Sequence, residues 1–387
     1  MYLDPDDEKI LAGEQGETRQ KMLELLVAIG KVFGAERLVR IRSAQVSGAS
    51  YKTIGEHGLS WLSSLDARVV VPAVLNPIGM PRERWKEMGV EPVFAERQQA
   101  VIAAYERLGV SLDCTCTPYY LYETFFGDHL AWSESSAVSY ANSVIGARTN
   151  REGGPGALAA ALIGKTPCYG LHLEKNRKPH VIINVVSDEK DWDIARYGAL
   201  GYHAGKLAGN KIPYFRGINP DNDQLKALGA AMAATGAVAL YHVDKITPEA
   251  KKGRFTLPGL EVITVEPPEI DRLFSEISVD AVAVGCPHCS PGELGVIARL
   301  LKGKTVTKPF YIFAAQGVID KNLKTVRIIE RGGARVFADT CMVVSPVMER
   351  YSAIMVNSGK ALAYVPDMRG AVARIGSIQE CVAVATS

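Results

Sequence analysis

The sequence lacks a long apolar stretch, and no run approaches the roughly 20 residues that a membrane-spanning helix needs. The N-terminal segment MYLDPDDEKILAGEQG is charged and has no apolar centre of the kind found in a secretory signal. Charge of one sign does not dominate either, since 44 Lys and Arg residues nearly balance 42 Asp and Glu residues. These absences argue against a membrane protein and against a nucleic-acid or membrane-surface partner, and they predict a cytoplasmic protein.

Cysteine is too scarce for a fold built on disulfides. The chain has seven cysteines in 387 residues, an odd number without a secretion signal. This predicts free thiols, metal ligands or catalytic groups. The length is sufficient for a large core divided among two or three lobes.

From about residue 235, the sequence alternates between short apolar segments and amphipathic segments. The predicted strands are AVALYHV, LEVITV, AVAVG, PFYIFAA and ARVFAD, and the predicted helices include PEIDRLFSEI, PGELGVIARLL and KTVRIIERG. Such alternation is typical of a parallel α/β sheet. Earlier in the chain, the pattern predicts a helix near residues 18–33, a strand near 37–42, the buried strand HVIINVVS and a helix near 192–207.

Five of the seven cysteines directly follow predicted strands. They are Cys114 and Cys116 in SLDCTCTPYY, Cys286 and Cys289 in VGCPHCSPGEL, and Cys341 in VFADTCMVVSP. Ligands bind at the carboxyl ends of strands in open α/β sheets, so three distant loops can converge on one point. Cys168 and Cys381 have apolar neighbours and are expected only to pack.

Three kinds of site compete for these cysteines. A zinc knuckle usually has two paired elements, whereas Cys114-Thr-Cys116 is tighter than the usual pair and Cys341 stands alone. A thioredoxin-like dithiol would lie early in its fold, but the Cys-x-x-Cys here lies late. An iron–sulfur cluster with one cysteine from each loop fits better, and its open iron would act as a Lewis acid on a hydroxyl group. An iron–sulfur electron carrier or a zinc-stabilised binding protein is the alternative from another class.

Five motifs, taken together and in this order, resemble the aconitase X family. They are CTCTPYY, ESSAVSYANSVIGARTNREGGP, GCPHCSPGEL, ADTCMVVSP and NSGKALAYVP. The resemblance covers essentially the whole chain, and it is strongest to the archaeal branch that acts on phosphomevalonate. It implies an α/β, aconitase-like fold with three α/β lobes of mostly parallel sheets around a central cleft. The approximate lobes are residues 1–115, 116–235 and 236–387.

The resemblance also implies a reaction and a partner. The expected enzyme is a hydro-lyase that dehydrates (R)-5-phosphomevalonate, a small phosphorylated hydroxy acid, to trans-anhydromevalonate 5-phosphate in the archaeal mevalonate route to isoprenoids. Its cofactor would be a 4Fe–4S cluster, or 3Fe–4S if the labile iron is lost. No stretch before Ser387 matches the family's swivelling fourth lobe, so we expect a separate small subunit to carry it in a heterodimer. Dehydration of cis-3-hydroxy-L-proline is the alternative within the family.

The family's cluster ligands are carried over by motif. Cys116 begins CTPY, which looks like the ligand-bearing turn, and Cys286 and Cys341 are the other two expected ligands. Cys114 and Cys289 are the alternates. Cys286 directly ends its strand while Cys289 lies near the next helix, and either could reach a metal.

Substrate contacts are expected where small or basic residues follow strands, because phosphate and carboxylate groups bind to Gly-rich turns, helix starts, Lys and Arg. The candidates are Ser47, Gly48, Ala49, Ser50, Asn76, Ser135, Ser136, Asn142, Ser143, Arg148, Arg151, Ser358, Gly359 and Lys360. Ordinary turns, helix caps and a polar helix face are the competing interpretation. His288, the one candidate catalytic residue, is expected to support the cluster or the substrate rather than to act as the general base, for which a partner-subunit serine is the candidate.

Overall fold

The computed structural model describes residues 1–186, 192–253 and 255–387. In these ranges the strands form four sheets, and every pairing in three of the sheets is parallel. The parallel α/β fold predicted from the sequence is therefore confirmed. The strands are β1 (Leu38–Arg40), β2 (Ala44–Val46), β3 (Ala73–Leu75), β4 (Ser111–Cys114), β5 (Ala131–Trp132), β6 (Lys165–Pro167), β7 (Val181–Val185), β8 (Pro213–Arg216), β9 (His242–Val243), β10 (Glu261–Val265), β11 (Ala281–Val284), β12 (Phe310–Ala314), β13 (Arg335–Ala338), β14 (Ala353–Val356) and β15 (Val372–Ile375).

Helices connect the strands and cover the sheets. The α-helices are α1 (Pro5–Leu11), α2 (Glu17–Val32), α3 (Tyr51–Ser64), α4 (Trp85–Met88), α5 (Pro92–Arg107), α6 (Ser135–Tyr140), α7 (Gly154–Ile163), α8 (Ile194–Ala208), α9 (Asn222–Thr235), α10 (Pro248–Lys251), α11 (Pro267–Asp271), α12 (Pro291–Leu301), α13 (Gln316–Lys321), α14 (Leu323–Arg331), α15 (Gly359–Arg369) and α16 (Ile378–Ala385). A π-helical turn, Ala141–Ile145, follows α6, and 3₁₀ turns lie at Pro118–Tyr120, Gly170–His172, Glu174–Asn176 and Pro346–Arg350. Within the described ranges, no helix is long and apolar enough to cross a membrane.

The first lobe is built on the sheet β4-β3-β2-β5, whose central strands β2 and β3 are fully buried. The apolar helix α7 packs on β2, and α2 packs on α7. Leu23 and Leu26 of α2 are wholly buried at helical spacing, so one apolar stripe fixes how this helix docks. Strands β1 and β6 form a separate antiparallel pair. The sheet includes β5 and so extends past residue 115, where the sequence predicted the first lobe to end.

The second and third lobes each carry one parallel sheet. The second has the order β10-β7-β8-β9, with α8 and α9 packed together beside it. The third has the order β13-β12-β11-β14-β15, and β11 and β12 are buried along their whole length. Crossover helices cover both faces of a parallel sheet, so its inner strands are continuous apolar runs such as AVAV and FYIFA.

Most predicted elements lie where the sequence placed them. The helix near residues 18–33 is α2, the helix near 192–207 is α8, and PGELGVIARLL is α12. HVIINVVS contains β7, and its last residue, Ser187, lies outside the described residues. PEIDRLFSEI is shorter than predicted, because α11 ends at Asp271.

The predicted strand AVALYHV is mostly not a strand, because only its last two residues form β9. Its backbone bonds instead to side chains of the first lobe. Asn142 Nδ2 donates to Ala239 O at 3.0 Å, and Tyr241 N donates to Ser143 Oγ at 2.9 Å. Since buried backbone groups need partners, these side chains replace the ladder that a strand would supply.

The first and third lobes meet where the loop after β3 runs beside the loop after β13. Ile78 N donates to Asp339 O at 2.8 Å, and Cys341 N donates to Ile78 O at 2.9 Å. The buried Asp339 carboxylate accepts from Cys114 N at 3.3 Å and from Arg82 Nε at 2.7 Å. One acidic side chain therefore ties together two of the cysteine-bearing loops.

A buried lysine joins the second lobe to the third. Lys226 of α9 forms an ion pair with Glu293 of α12, and the side chains are 2% and 3% exposed. Glu293 also accepts from Ser290 N at 2.9 Å and from Asn357 Nδ2 at 3.4 Å. Lys226 Nζ donates to His288 O at 3.4 Å. The pair therefore supports the loop between β11 and α12 from the second lobe.

We expect Lys226→Met to lower the free energy of unfolding by about 3–5 kcal/mol, because Glu293 would remain buried without its counter-charge. Chemical denaturation followed by circular dichroism measures the change. The exposed Lys324 on α14 offers a control, and Lys324→Met should alter stability by less than about 0.5 kcal/mol. Equal stability of the two variants would contradict this role for the ion pair.

Candidate active site

A cavity of about 330 Å³ lies between the first and third lobes. Every strand of the first sheet contributes a residue to its wall. Ser47 follows β2, Asn76 follows β3, Cys116 follows β4, and Ser133 and Glu134 follow β5. The cavity therefore lies at the carboxyl edge of this sheet, where open parallel sheets bind ligands.

The third sheet faces the same cavity with its own carboxyl edge. Cys286 and His288 lie in the loop after β11, Cys341 lies in the loop after β13, and Lys360 lies in the first turn of α15, after β14. Loops from two sheets thus converge on one cavity, and three of them carry cysteine.

One cysteine from each of the three loops lies on the wall. These are Cys116, Cys286 and Cys341. The alternates are elsewhere, because Cys114 packs in the core of the first lobe and Cys289 is wholly buried among apolar residues of the third. The fold therefore presents three thiols, from three separate loops, to one cavity.

The surroundings of Cys116 Sγ and Cys341 Sγ suit the thiolate ligands of an iron–sulfur cluster. His288 N donates to Cys116 Sγ at 3.1 Å, and Val343 N donates to Cys341 Sγ at 3.4 Å, which are contacts that favour thiolate. Burial raises the pKa of Cys116 to about 12 and that of Cys286 well above its ordinary value, so a bound metal would have to displace the protons. In the described residues, Cys, His, Asp and Glu side chains form no group of three suited to a single metal ion. Cluster ligands bond to different irons and stand farther apart.

His288 connects the three cysteine-bearing loops. Its Nε2 lies 2.9 Å from Thr340 O, and its Nδ1 lies 3.1 Å from Thr115 Oγ1. A carbonyl oxygen only accepts, so Nε2 carries the proton and Nδ1 accepts from the threonine hydroxyl. Burial lowers the pKa of His288 to about 4, which keeps the ring neutral. The ring's contacts are those of a positioning group, and its catalytic role stays a prediction.

Glu134 and Lys360 form a buried ion pair in the cavity wall. Lys360 Nζ also donates to Ser136 Oγ at 3.2 Å, while Ala137 N donates to the Glu134 carboxylate at 2.8 Å. Burial opposes the charged form of Glu134, but Lys360 and the hydrogen bonds outweigh burial, so the pKa of this carboxyl lies below its ordinary value. The ionised form of Glu134 is therefore favoured, with the Lys360 ammonium group beside it.

Glu152, the second carboxyl group on the wall, has a different environment. Thr166 Oγ1 donates to its Oε1 at 3.1 Å, and no cation of the described chain forms an ion pair with it. Burial raises the pKa of Glu152, and the Thr166 hydrogen bond acts in the opposite direction. Two carboxyl groups in one cavity therefore have pKa values shifted in opposite directions.

Several wall groups are free to meet a ligand. Asn76 Oδ1 and Ser133 Oγ are buried and make no hydrogen bond within the described part of the chain. Arg151, the second cation of the wall, has no carboxylate partner in the same ranges. Buried polar groups without partners cost free energy, so this wall favours a polar, anionic occupant.

Of the predicted substrate residues, the wall contains Ser47, Asn76, Ser135, Arg151 and Lys360. The wall does not include Gly48, Ala49, Ser50, Ser136, Ser358 and Gly359. Ser358 Oγ caps α15 by accepting from Lys360 N at 3.1 Å and Ala361 N at 3.3 Å, so these N–H groups already have an acceptor. A Cβ on Gly359 would lie 2.0 Å from Gly198 O, so close helix packing requires this glycine.

Asn142, Ser143 and Arg148 also lie away from the wall. Asn142 and Ser143 bond to the backbone of residues 239 and 241, as described above. Arg148 Nη1 donates to His172 O at 3.1 Å. These three side chains of the motif are therefore occupied by contacts within the protein.

The sequence analysis missed Glu134 and Glu152. A signal existed for Glu134, since this acidic residue lies two positions after the buried strand β5 and caps the next helix through Ala137 N. No local signal marks Glu152, because its place depends on a distant contact in which its backbone N–H donates to Trp132 O at 3.0 Å.

Family models match nearly the whole chain. The aconitase X first domain matches residues 1–175, the second domain 179–275 and the third domain 279–387. These ranges separate between residues 175 and 179 and between 275 and 279, whereas the sequence predicted divisions near 115 and 235.

Named relatives and a solved structure agree with these models. The chain is 53% identical to the phosphomevalonate dehydratase large subunit of Methanosarcina mazei, over 100% of this chain and 97% of that protein. It is 34% identical to the cis-3-hydroxy-L-proline dehydratase of Pseudomonas aeruginosa, over 99% of this chain and 70% of that protein. The crystal structure of Thermococcus kodakaraensis aconitase X in its holo form superposes with a TM-score of 0.91 at 44% identity, over 99% of both chains. The chain belongs to the aconitase X family.

Proposed function

We propose that this chain is the large subunit of a hydro-lyase that dehydrates (R)-5-phosphomevalonate to trans-anhydromevalonate 5-phosphate. The observation that carries the proposal is similarity over almost the full length of relatives named as phosphomevalonate dehydratase large subunits. The relative named for hydroxyproline is more distant and is matched over only 70% of its length. The words "large subunit" in these names support a separate small subunit as the partner.

Cys116, Cys286 and Cys341 are the residues that would hold a 4Fe–4S cluster. When bound with three protein ligands, such a cluster supplies a Lewis acid that polarises the carbon–oxygen bond of a substrate hydroxyl. His288 fixes the relative positions of the three cysteine-bearing loops through hydrogen bonds of its ring and its backbone N–H. The Lys226–Glu293 pair supports the middle loop from the second lobe.

The substrate carries a phosphate, a carboxylate and a tertiary hydroxyl. Arg151, on the wall, has no carboxylate partner in the described ranges, and its planar guanidinium suits either anionic group. Lys360 is neutralised by Glu134, so it orients a ligand without adding net positive charge. Asn76 and Ser133 offer polar atoms that have no hydrogen-bond partner among the described residues. Elimination also needs a base that removes a proton from the carbon next to the substrate carboxylate. We assign that base to the small subunit.

The complex of this chain with its small subunit, purified anaerobically, should remove water from (R)-5-phosphomevalonate at least about 100-fold faster, in kcat/KM, than from cis-3-hydroxy-L-proline, because a site built for a phosphate loses that anchor with the smaller acid. Mass spectrometry of the products measures both reactions. Turnover of hydroxyproline alone would contradict the proposed substrate. Purified protein that contains zinc, without iron and sulfide, would contradict the proposed cluster.

Single replacement of Cys116, Cys286 or Cys341 by Ala should reduce the iron and sulfide content of the anaerobically purified chain to less than about half, because the cluster would keep only two protein ligands. Cys114→Ala, at the end of β4, and Cys289→Ala, in the loop after β11, are matched controls and should retain the iron and sulfide. Cluster loss in Cys289→Ala with retention in Cys286→Ala would reverse the assignment in the loop after β11.

Arg151→Gln should raise KM for the phosphorylated substrate about 10- to 100-fold with a smaller change in kcat, because a hydrogen bond to a charged group contributes about 1.5–3 kcal/mol. Steady-state kinetics of the two-subunit enzyme measures this split. Arg148→Gln removes the same charge from the same segment but away from the cavity wall, and its KM should stay within about threefold of the parent value. Equal KM values for the two variants would exclude Arg151 from the substrate site.

A further inference from the structure

Glu152 is a buried carboxyl group that the proposed binding site does not use. Its backbone is fixed beside β5, because Glu152 N donates to Trp132 O at 3.0 Å. The chain then passes close to the loop after β2, where a Cβ on Gly154 would lie 2.6 Å from Ser47 O. These contacts hold the Glu152 side chain at the cavity wall, and it is 5% exposed.

The groups around Glu152 allow its carboxyl group to be protonated on Oε2. Thr166 of β6 holds Oε1, while Oε2 accepts no hydrogen bond from the described part of the chain. Burial raises the pKa of the nearby Tyr169 phenol, and the charge of Glu152 raises it further. The charged groups on the same cavity wall are Arg151 and the Glu134–Lys360 pair. A purely structural Glu–Thr contact would not need a carboxyl group on the wall of a cavity.

The two carboxyl groups divide naturally into two roles. Glu134 is held as an anion by Lys360, Ser136 and a backbone N–H. Among the described residues Glu152 has no counter-charge, and burial favours its neutral form. Acid and base assignments in active sites commonly follow such opposed environments.

We infer that Glu152 is the proton donor to the departing hydroxyl group, an assignment that rests on the proposed dehydration. In that step the electron pair of the carbon–oxygen bond goes to oxygen, and the Glu152 carboxyl proton is transferred to the same oxygen, which leaves as water. The base of the small subunit takes the proton from the carbon next to the substrate carboxylate, and the new double bond forms between the two carbons. After water and product leave, the base releases its proton to solvent and Glu152 regains one from solvent, so the net change is loss of one water.

This role has a definite pH signature. A donor must be protonated, so kcat falls as pH rises through the pKa of Glu152 in the enzyme–substrate complex. Removing the Thr166 hydroxyl removes an influence that lowers this pKa, so the fall should move to higher pH.

The test uses the two-subunit enzyme with its cluster, assayed anaerobically on (R)-5-phosphomevalonate. Glu152→Gln should lower kcat about 10²- to 10⁴-fold, the usual range for loss of a proton-transfer group, with KM within about threefold and iron content unchanged. The fall of kcat at high pH should disappear in this variant. Glu261→Gln, an exposed position on β10, is the control and should match the parent enzyme.

Thr166→Val keeps the shape of the side chain. It tests the same inference if the Glu152→Gln chain does not form the two-subunit enzyme. Its high-pH fall in kcat should lie at higher pH than in the parent enzyme. The inference is overturned if kcat of Glu152→Gln stays within about threefold, if its high-pH fall persists, or if the Thr166→Val profile does not move. An inactive parent enzyme would instead contradict the proposed function, so the two failures are distinguishable.

Discussion

The active-site cavity depends on one constraint, that the carboxyl ends of two parallel sheets face each other. In a parallel sheet every strand ends at the same edge, so the first sheet delivers one loop from each of its four strands to the cavity. The third sheet does the same from the opposite side. The backbone contacts of Ile78 with Asp339 and Cys341 keep these two edges together. Residues separated by more than 200 positions thereby line one space of about 330 Å³.

Buried charges stabilise this arrangement of loops, and each is compensated. Removing an ion from water is costly, so a charge persists in the interior only with an opposite charge and further hydrogen bonds. Lys226–Glu293 supports the loop after β11, and Lys360–Glu134 forms part of the wall. Glu152 differs, because it is buried on the same wall and no cation in the described part of the chain forms an ion pair with it. That difference separates a group that stays ionised from one that can carry a proton.

The sequence predicted the fold better than the site. Strand and helix periods identified most elements of the third lobe, because apolar runs and amphipathic helices are local patterns. The segment AVALYHV was mistaken for a whole strand, because side chains of Asn142 and Ser143 bond to its backbone. The sequence also predicts these two residues at the substrate, since a pattern of polar residues does not show which way a side chain points. Glu152 escaped notice because its position depends on a contact with Trp132.

By itself, the sequence determined the parallel α/β class, the family resemblance and the placement of four cysteines in loops after strands, because local patterns and the order of motifs carry this information. Cys114, predicted to follow a strand, instead ends β4. Only the tertiary structure decided which side chains share the cavity. Cys286 and Cys289 are three positions apart, yet one lies on the wall and the other in an apolar core. That choice depends on how the loop after β11 packs between two lobes, and packing between distant segments leaves no local mark in the sequence.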